Sequence, residues 1–278
     1  MIKNIFKNLP VVNSLVKTNA WQSFRHRMVL LLSNRNNSTF TGFLRLPTQF
    51  EALTGPVINF LLKDGMTKSL KITVIGCSNG AEVYTIASVL KNRLPKLMFA
   101  INAYDIDKEM ISKARTACYQ QQEVFNNKVI TDTFINSTFN IEKGLYIVKK
   151  DIACLVRFDV VDVLNSNLKG ITGISDIVFA QNFIFHMRRK TAKAAFNNVC
   201  SILNSKAVLF IDGIDIDIRL KLAKRNNLEP LEYKIEEIHN EAMMARGVGW
   251  PYSYWGLEPF SMSDKDWKRR YSTIFLRS

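Results

Sequence analysis

Apolar and polar positions follow two periods along this chain. Short β-branched apolar runs, typical of buried strands, recur between segments whose apolar residues return every three or four positions, as in helices. The predicted elements are strand Leu70–Gly76, helix Ala81–Lys91, strand Phe99–Asp105, helix Lys108–Cys118, strand Leu155–Val161, strand Asp176–Gln181, helix Lys190–Leu203 and strand Ala207–Asp212. This order favours a parallel sheet covered by helices on both faces, with a ligand at the carboxyl ends of the strands.

The alternation divides the chain into two predicted parts. Residues 1–68 are expected to form a helical N-terminal region, in which Pro47–Leu62 has the period of a helix that begins at its proline. Residues 69–278 are expected to form an α/β domain that ends on a strand at Tyr271–Leu276.

One segment of the second part, residues 237–267, lacks both periods. From His239 to Trp267 aromatic side chains stand among Gly and Pro residues, a composition that does not suit a regular helix. A loop of this length in a compact domain is usually functional, so we expect a lid over the ligand rather than a structural cap. Its candidate substrate contacts are Trp250, Tyr252, Tyr254 and Trp255.

The turn after the first strand carries candidate ligand-binding chemistry. Gly76 and Gly80 permit a tight turn and a close approach of the backbone to a ligand. Asp105 ends the next strand, where an acid can hold ribose hydroxyls. A dinucleotide fingerprint requires a glycine where Ser78 stands. The pattern therefore favours a nucleoside without a pyrophosphate, of which S-adenosylmethionine (SAM) is the common example.

The stretch Gly76-Cys-Ser-Asn-Gly-Ala-Glu-Val-Tyr84 resembles the G-C-S-T-G-E-E-P-Y signature of the CheR-type methyltransferases, which esterify chemoreceptor glutamates with a methyl group from SAM. Further blocks resemble that family in the same order, at Thr39–Arg45, Ala103–Asp107, Val156–Leu164 and Asp176–Asn182. The resemblance implies the class I methyltransferase fold, an α/β, Rossmann-like, seven-stranded sheet with helices on both faces, which follows a small helical N-terminal region and has an antiparallel last strand.

The resemblance also implies SAM as the cofactor and the side chains that hold it. Arg45 would bind the methionine carboxylate, Glu82 would compensate the amino group or the sulfonium, and Asp162 with Val163 would lie along the adenine. Asn182 would lie beside the methyl group, as a candidate catalytic residue. Taken singly, each charged residue also fits a helix cap or a solvated charge. The full set of implied cofactor contacts is Thr39, Thr41, Arg45, Gly76, Ser78, Gly80, Glu82, Asp105, Ile106, Asp162, Val163, Asn182 and Phe183.

Three positions depart from the family's pattern. Ala81 replaces the first Glu of the signature, Gln181 replaces an Arg and His186 replaces a Tyr, and the last two belong to the family's acceptor side. A carboxylate acceptor needs only alignment with the methyl group, whereas a hydroxyl must also lose a proton, which imidazole accepts near neutrality. We therefore expect His186 to be a catalytic base and Gln181 to contact the substrate, although a histidine here also suits a packed helix start.

Two further differences bear on the acceptor. Only 38 residues precede Thr39, where the family's receptor methyltransferases have a larger helical domain, and we identify no counterpart of their inserted β subdomain. These differences favour a SAM-dependent O-methyltransferase that acts on a glycan or a small hydroxyl compound. Two alternatives remain, namely methylation of protein glutamate carboxylates and a non-catalytic protein that binds the cofactor.

The charge of the chain limits its partners. Lys and Arg number 38 against 24 Asp and Glu, a net charge of +14, and no acid precedes Glu51. The basic N-terminus suits peripheral association with an anionic surface, or is a solvated basic face, and it lacks the aromatic-basic interleaving of nucleic-acid binders. The four cysteines are scattered, and their spacing is not that of metal ligands. The N-terminus has no continuous apolar run long enough to cross a bilayer. The sequence thus predicts a cytoplasmic protein without a metal site.

Overall fold

A computed structural model describes Met28 and residues 41–62, 69–126, 129–246 and 258–278. The N-terminal part contains α1 (Pro47–Ala52), a π-helical turn (Leu53–Val57) and α2 (Ile58–Leu61), which confirms the helix predicted from Pro47. Pro47 suits this start because the first helical residue has no intrahelical partner for its N–H. Apart from Met28, the basic N-terminus before Thr41 lies outside the described residues.

The remaining elements confirm the predicted alternation. They are β1 (Leu70–Ile75), α3 (Ala81–Arg93), β2 (Phe99–Asp105), α4 (Lys108–Thr116), β3 (Cys118–Gln120), α5 (Gln121–Val124), α6 (Asp132–Thr138), β4 (Phe139–Glu142), β5 (Leu145–Val148), α7 (Lys150–Ala153), β6 (Val156–Val160), α8 (Leu168–Thr172), β7 (Ser175–Gln181), a 3-10 helix (Ile184–His186), α9 (Arg189–Ser201), β8 (Leu203–Asp212), α10 (Ile216–Arg225), β9 (Glu229–Pro230), α11 (Ile235–Arg246), α12 (Trp267–Tyr271) and β10 (Ile274–Arg277).

The central sheet has seven strands in the order β6-β2-β1-β7-β8-β10-β9. Strands β6, β2, β1, β7 and β8 are parallel, whereas β10 is antiparallel to both of its neighbours. The chain runs outward from β1 to β2 and β6 and then returns to the other side of β1 at β7. This reversal opens a crevice at the carboxyl ends of β1 and β7, which is where such sheets bind ligands.

The sheet is buried on both faces. Ile72 and Val74 of β1 pack into one apolar cluster, and Ile75 packs into a second cluster with Val178 of β7. Burial on two faces removes the apolar-polar alternation of a half-exposed strand. For this reason β7 contains the continuous apolar run Ile177–Ala180, whereas Lys71 and Thr73 interrupt the apolar residues of β1.

A second sheet lies between α4 and β6. It is antiparallel, has three strands in the order β3-β5-β4, and packs Tyr119 and Phe139 around the ring of Phe43, at centroid distances of 4.9 and 5.1 Å. This sheet corrects the expectation that the chain has no inserted β subdomain, because a small one is present. Its strands have three or four residues, too few to show a period of two.

Helix α11 corrects the expectation of an irregular segment from His239 onward. Ile235, Ile238 and Ala242 recur at helical spacing and are buried, so the helix continues to Arg246 before the stretch rich in Gly, Pro and aromatic residues. The last predicted strand also began too early, because Tyr271 ends α12. No helix in the described part of the chain is long and apolar enough to cross a membrane.

Candidate cofactor and acceptor site

The turn between β1 and α3 requires glycine at two positions. Gly76 has φ +74° and Gly80 has φ +85°, a region that side chains rarely adopt. A Cβ on Gly76 would lie 2.6 Å from a ring carbon of Phe183, and one on Gly80 would lie 3.0 Å from the Cβ of Ala114. The two glycines therefore let the turn lie against β7's end and α4 without a clash.

Asp105 holds this turn from the end of β2. Its Oδ2 accepts a 2.7 Å hydrogen bond from the backbone N–H of Ser78, and its Oδ1 accepts one of 3.0 Å from the N–H of Asp107. Ser78 has φ +49°, a strained conformation that a bond to a charged acceptor helps to stabilise. Each carboxylate oxygen retains a second lone pair for a ligand hydroxyl. The cap of α4 is Asp107 rather than Asp105, since Asp107 accepts from the first-turn amides.

Tyr119 supports the same turn from the small sheet. Its buried hydroxyl donates a 2.6 Å hydrogen bond to the carbonyl of Asn79, whose side-chain oxygen accepts from the N–H of Ala81 at 3.2 Å. The second sheet thus fixes the start of α3. No local feature of the sequence revealed this role.

A buried polar cluster lies at the carboxyl ends of β7 and β8. The side-chain amide of Gln181 donates to the Oε1 atoms of Glu82 and Gln49, each at 3.1 Å. Burial raises the pKa of the Glu82 carboxyl, the charge of Arg45 lowers it, and the charge of Asp212 raises it further. Gln181, with 4% of its surface exposed, was predicted to contact the substrate, and it lies instead within this cluster against Glu82, a predicted cofactor contact. The sequence did not predict a role for Gln49 or Asp212. Asp212 could have been found as the last residue of a predicted strand.

Three predicted cofactor contacts, among them the two expected along the adenine, lie on the β6 side of the crevice. Ile106 follows β2 and is 67% exposed, and Asp162 follows the neighbouring strand β6 and is also exposed. Val163 differs, because its side chain packs in the core and its carbonyl accepts from the amide of Asn198 at 2.8 Å. Ile106 and Asp162 are thus available to a planar ligand, whereas the Val163 side chain faces inward.

The candidate catalytic residues share the turn after β7. Asn182 has φ +59° and donates its backbone N–H to the carbonyl of Asp212 at 3.0 Å. Phe183 lies beneath Gly76, and His186 ends the 3-10 helix with an exposed imidazole whose centroid is 3.9 Å from the ring of Phe185. The structure therefore places Asn182 and His186 at the same end of the central sheet as Gly76.

Two groups of predicted contacts lie wholly or partly outside the described residues, one in the segment before α1 and one in the predicted lid. Thr39 lies outside the described residues, while Thr41 is described and its carbonyl accepts from the amide of Asn126 at 3.0 Å. The aromatic substrate contacts proposed for the lid also lie outside the described residues, namely Trp250, Tyr252, Tyr254 and Trp255.

Among the described residues no group of three or more His, Cys, Asp or Glu is arranged to hold a metal ion. The four cysteines Cys77, Cys118, Cys154 and Cys200 are free. Burial raises the pKa of the Cys77 thiol, with a further contribution from the charge of Asp105. Cys77 is therefore a packed thiol within the turn rather than a reactive one.

Comparisons with known proteins agree with this architecture. The family model described as CheR methyltransferase, SAM binding domain, matches residues 39–216. Chemotaxis protein methyltransferase 2 of Vibrio cholerae is 27% identical over 175 residues, which cover 62% of this chain and 60% of that protein. The chemotaxis protein methyltransferase of Escherichia coli K12 is 26% identical over 196 residues, which cover 67% of this chain and 68% of that protein. The chain thus spans between three fifths and about two thirds of the length of these relatives.

Solved structures add little to this assignment. Magnesium protoporphyrin IX methyltransferase from Synechocystis PCC 6803 with bound SAM covers 96% of both chains, but with 14% identity and a TM-score of 0.39. A TM-score this low carries no argument, whereas the family model matches well over half of the chain. This chain belongs to the CheR methyltransferase family and contains its SAM-binding domain.

Proposed function

We propose that this chain uses SAM to methylate a carboxylate oxygen on a protein. The observation that supports the cofactor geometry is the buried Glu82 carboxyl in the first turn of α3, whose pKa the charge of Arg45 lowers. SAM carries an α-amino acid group, and an acid and a base whose charges act on each other are complementary to its ammonium and carboxylate. Asp105 would then hold the ribose, and the exposed Ile106 would pack on the adenine.

The chain's contribution to the reaction is alignment. When bound, SAM supplies an electrophilic methyl group on a sulfonium. Asn182, fixed in a left-handed conformation by its bond to Asp212, would position the acceptor oxygen or the methyl group at the end of β7. Holding the two reactants in line is a large part of catalysis for such a transfer, because an ionised carboxylate needs no base.

A protein carboxylate is the acceptor class that the relatives support. The Vibrio and Escherichia proteins are named chemotaxis protein methyltransferases, and the family model that matches this chain over residues 39–216 includes the block that contains Asn182. The net charge of +14 also favours an acidic protein surface as a partner. This reading replaces the glycan or small-molecule acceptor as the first candidate.

A hydroxyl acceptor is the second candidate, and His186 favours it. The imidazole is exposed on the 3-10 helix that follows Asn182, where it is accessible to an acceptor. A hydroxyl of a glycan or a small molecule would need such a base to remove its proton. A carboxylate acceptor gives this histidine no chemical role.

Transfer of a radiolabelled methyl group separates these candidates. The full chain is incubated with labelled SAM and with protein or small-molecule fractions of a cell lysate. A carboxylate acceptor is supported if the label enters protein and mild base releases it, and if the rate of methyl transfer is nearly flat from about pH 6 to 8. Base-stable label, a rate that falls as imidazole protonates, and a loss of about 10²–10⁴-fold in His186→Phe support a hydroxyl. Cofactor binding without transfer to any fraction favours a non-catalytic binding protein.

A further inference from the structure

Helix α11 lies beyond residue 216, where the family match ends, yet it contacts the elements that carry two site residues. Ala242 of α11 forms a small apolar cluster with Leu46 and Phe185, all three of them buried. Leu46 follows Arg45 directly, and Phe185 precedes His186 directly. The packing of α11 therefore influences both sides of the candidate site.

Glu241, also on α11, binds the first turn of α1. One carboxylate oxygen accepts from the backbone N–H of Thr48 at 3.1 Å, and the other accepts from the Thr48 hydroxyl. The residue at the N-cap position, Leu46, provides no side-chain hydrogen bond, and Pro47 has no N–H. Glu241 thus acts as the cap of α1 from a distant helix, and its negative charge suits a helix N-terminus.

Burial influences this contact. The pKa of the Glu241 carboxyl is raised by partial burial, while the hydrogen bonds from Thr48 act in the opposite direction. A second link is the pair at 3.0 Å between Lys234, which directly precedes α11, and Glu51 of α1, and it is exposed on both sides. An exposed pair contributes little to rigidity, so the cap is the stronger of the two links.

We propose that Glu241 is a positioning residue for the cofactor, which acts by fixing the start of α1 and thereby the place of Arg45, three residues before Thr48. This inference rests on the proposed role of Arg45 in SAM binding. Removal of the Glu241 carboxylate would let the segment before α1 shift, so that Arg45 no longer meets the carboxylate of the ligand. Loss of affinity should therefore depend on Arg45.

The test is a double-mutant cycle, with S-adenosylhomocysteine as the probe and calorimetry on the full chain. Glu241→Ala is expected to raise the Kd about 3- to 10-fold, whereas Glu241→Gln, which keeps one acceptor oxygen, should recover part of the affinity. In an Arg45→Ala background the Glu241→Ala effect should disappear. The matched control is Glu236→Ala, an exposed acid on the same helix, which should leave Kd unchanged.

Two outcomes would overturn the inference. One is an unchanged Kd in folded Glu241→Ala, and the other is an equal loss with and without Arg45, which would indicate a general structural role. Thr48→Val tests the same contact from its other side if Glu241→Ala fails to fold, and it should weaken binding in the same direction. A parent protein that binds no S-adenosylhomocysteine would instead refute the proposed function itself.

Discussion

Gln181 donates its side-chain amide to Glu82 at 3.1 Å, and this glutamine stands where the CheR family's pattern has an arginine. The substitution leaves a buried carboxylate next to a neutral donor. Arg45 is then the cation whose charge lowers the pKa of Glu82, against the effects of burial and of Asp212. The net effect is a raised pKa, so the ionised form of Glu82 is disfavoured, and a cationic group beside it would lower that pKa.

This raised pKa predicts how stability depends on pH. The pKa of Glu82 is raised in the folded protein, so the folded state binds more protons than the unfolded state above the ordinary glutamate range. Stability of the ligand-free protein should therefore fall as pH rises through that window. Glu82→Gln should remove this component and be more stable than the parent above the window.

Urea denaturation at several values between about pH 4 and 8 measures the effect. Glu236→Gln, an exposed substitution of the same chemistry, controls for the change in net charge. An identical pH dependence of the unfolding free energy in Glu82→Gln and in the parent would show that another titrating group causes it.

The central sheet and the glycine turn could be predicted because their signals are local. A strand buried on both faces, such as β7, leaves a continuous apolar run, and the two glycines occupy positions where other residues would be strained. Asp105 could be recognised because it ends such a strand. The prediction of α4 failed only at its end, where Ala117 adopts φ +51° and β3 begins.

The contacts that complete the site have no local signal. Gln181 and Gln49 are 132 residues apart in the chain, and Thr48 and Glu241 are 193 apart. Gln49 does not differ in the sequence from a solvated glutamine, and Gln181 is distinguished only as a departure from the family's arginine. Such pairs become visible only when the fold brings α1 against β7 and α11, and a single sequence does not contain that information.

Arg45 provides a prediction about ligand geometry. If its guanidinium binds the SAM carboxylate as a fork, Arg45→Lys should lose affinity although the charge is kept, because a single ammonium replaces two parallel donors. Arg45→Ala should lose more. Calorimetric titration with SAM measures both variants, with Lys91→Ala, whose partner Asp151 lies at the surface, as a control. Parent-like affinity in Arg45→Ala would remove this residue from the site.

Gly76 provides a prediction about packing. Gly76→Ala should destabilise the protein by about 1–3 kcal/mol for the left-handed backbone and by a further 1–3 kcal/mol, roughly, for the contact with Phe183. Gly144→Ala is the matched control, since it has φ +79° but no atom within 4 Å of the added Cβ. The difference between the two variants in urea denaturation isolates the contact with Phe183. Equal losses would mean that Phe183 moves aside without cost.

Asp105 has two tasks in this structure, and one experiment can separate them. It accepts from Ser78 within the turn, and we propose that it also accepts from the ribose hydroxyls. Asp105→Ala should weaken the binding of adenosine by about 1.5–3 kcal/mol, the range for hydrogen bonds to a charged group. For 2′,3′-dideoxyadenosine, which has no such hydroxyls, the binding free energies of the parent and the variant should differ much less. If the variant binds both nucleosides more weakly by the same factor, Asp105 acts on the ligand only through the shape of the turn, and the hydroxyl contact is refuted.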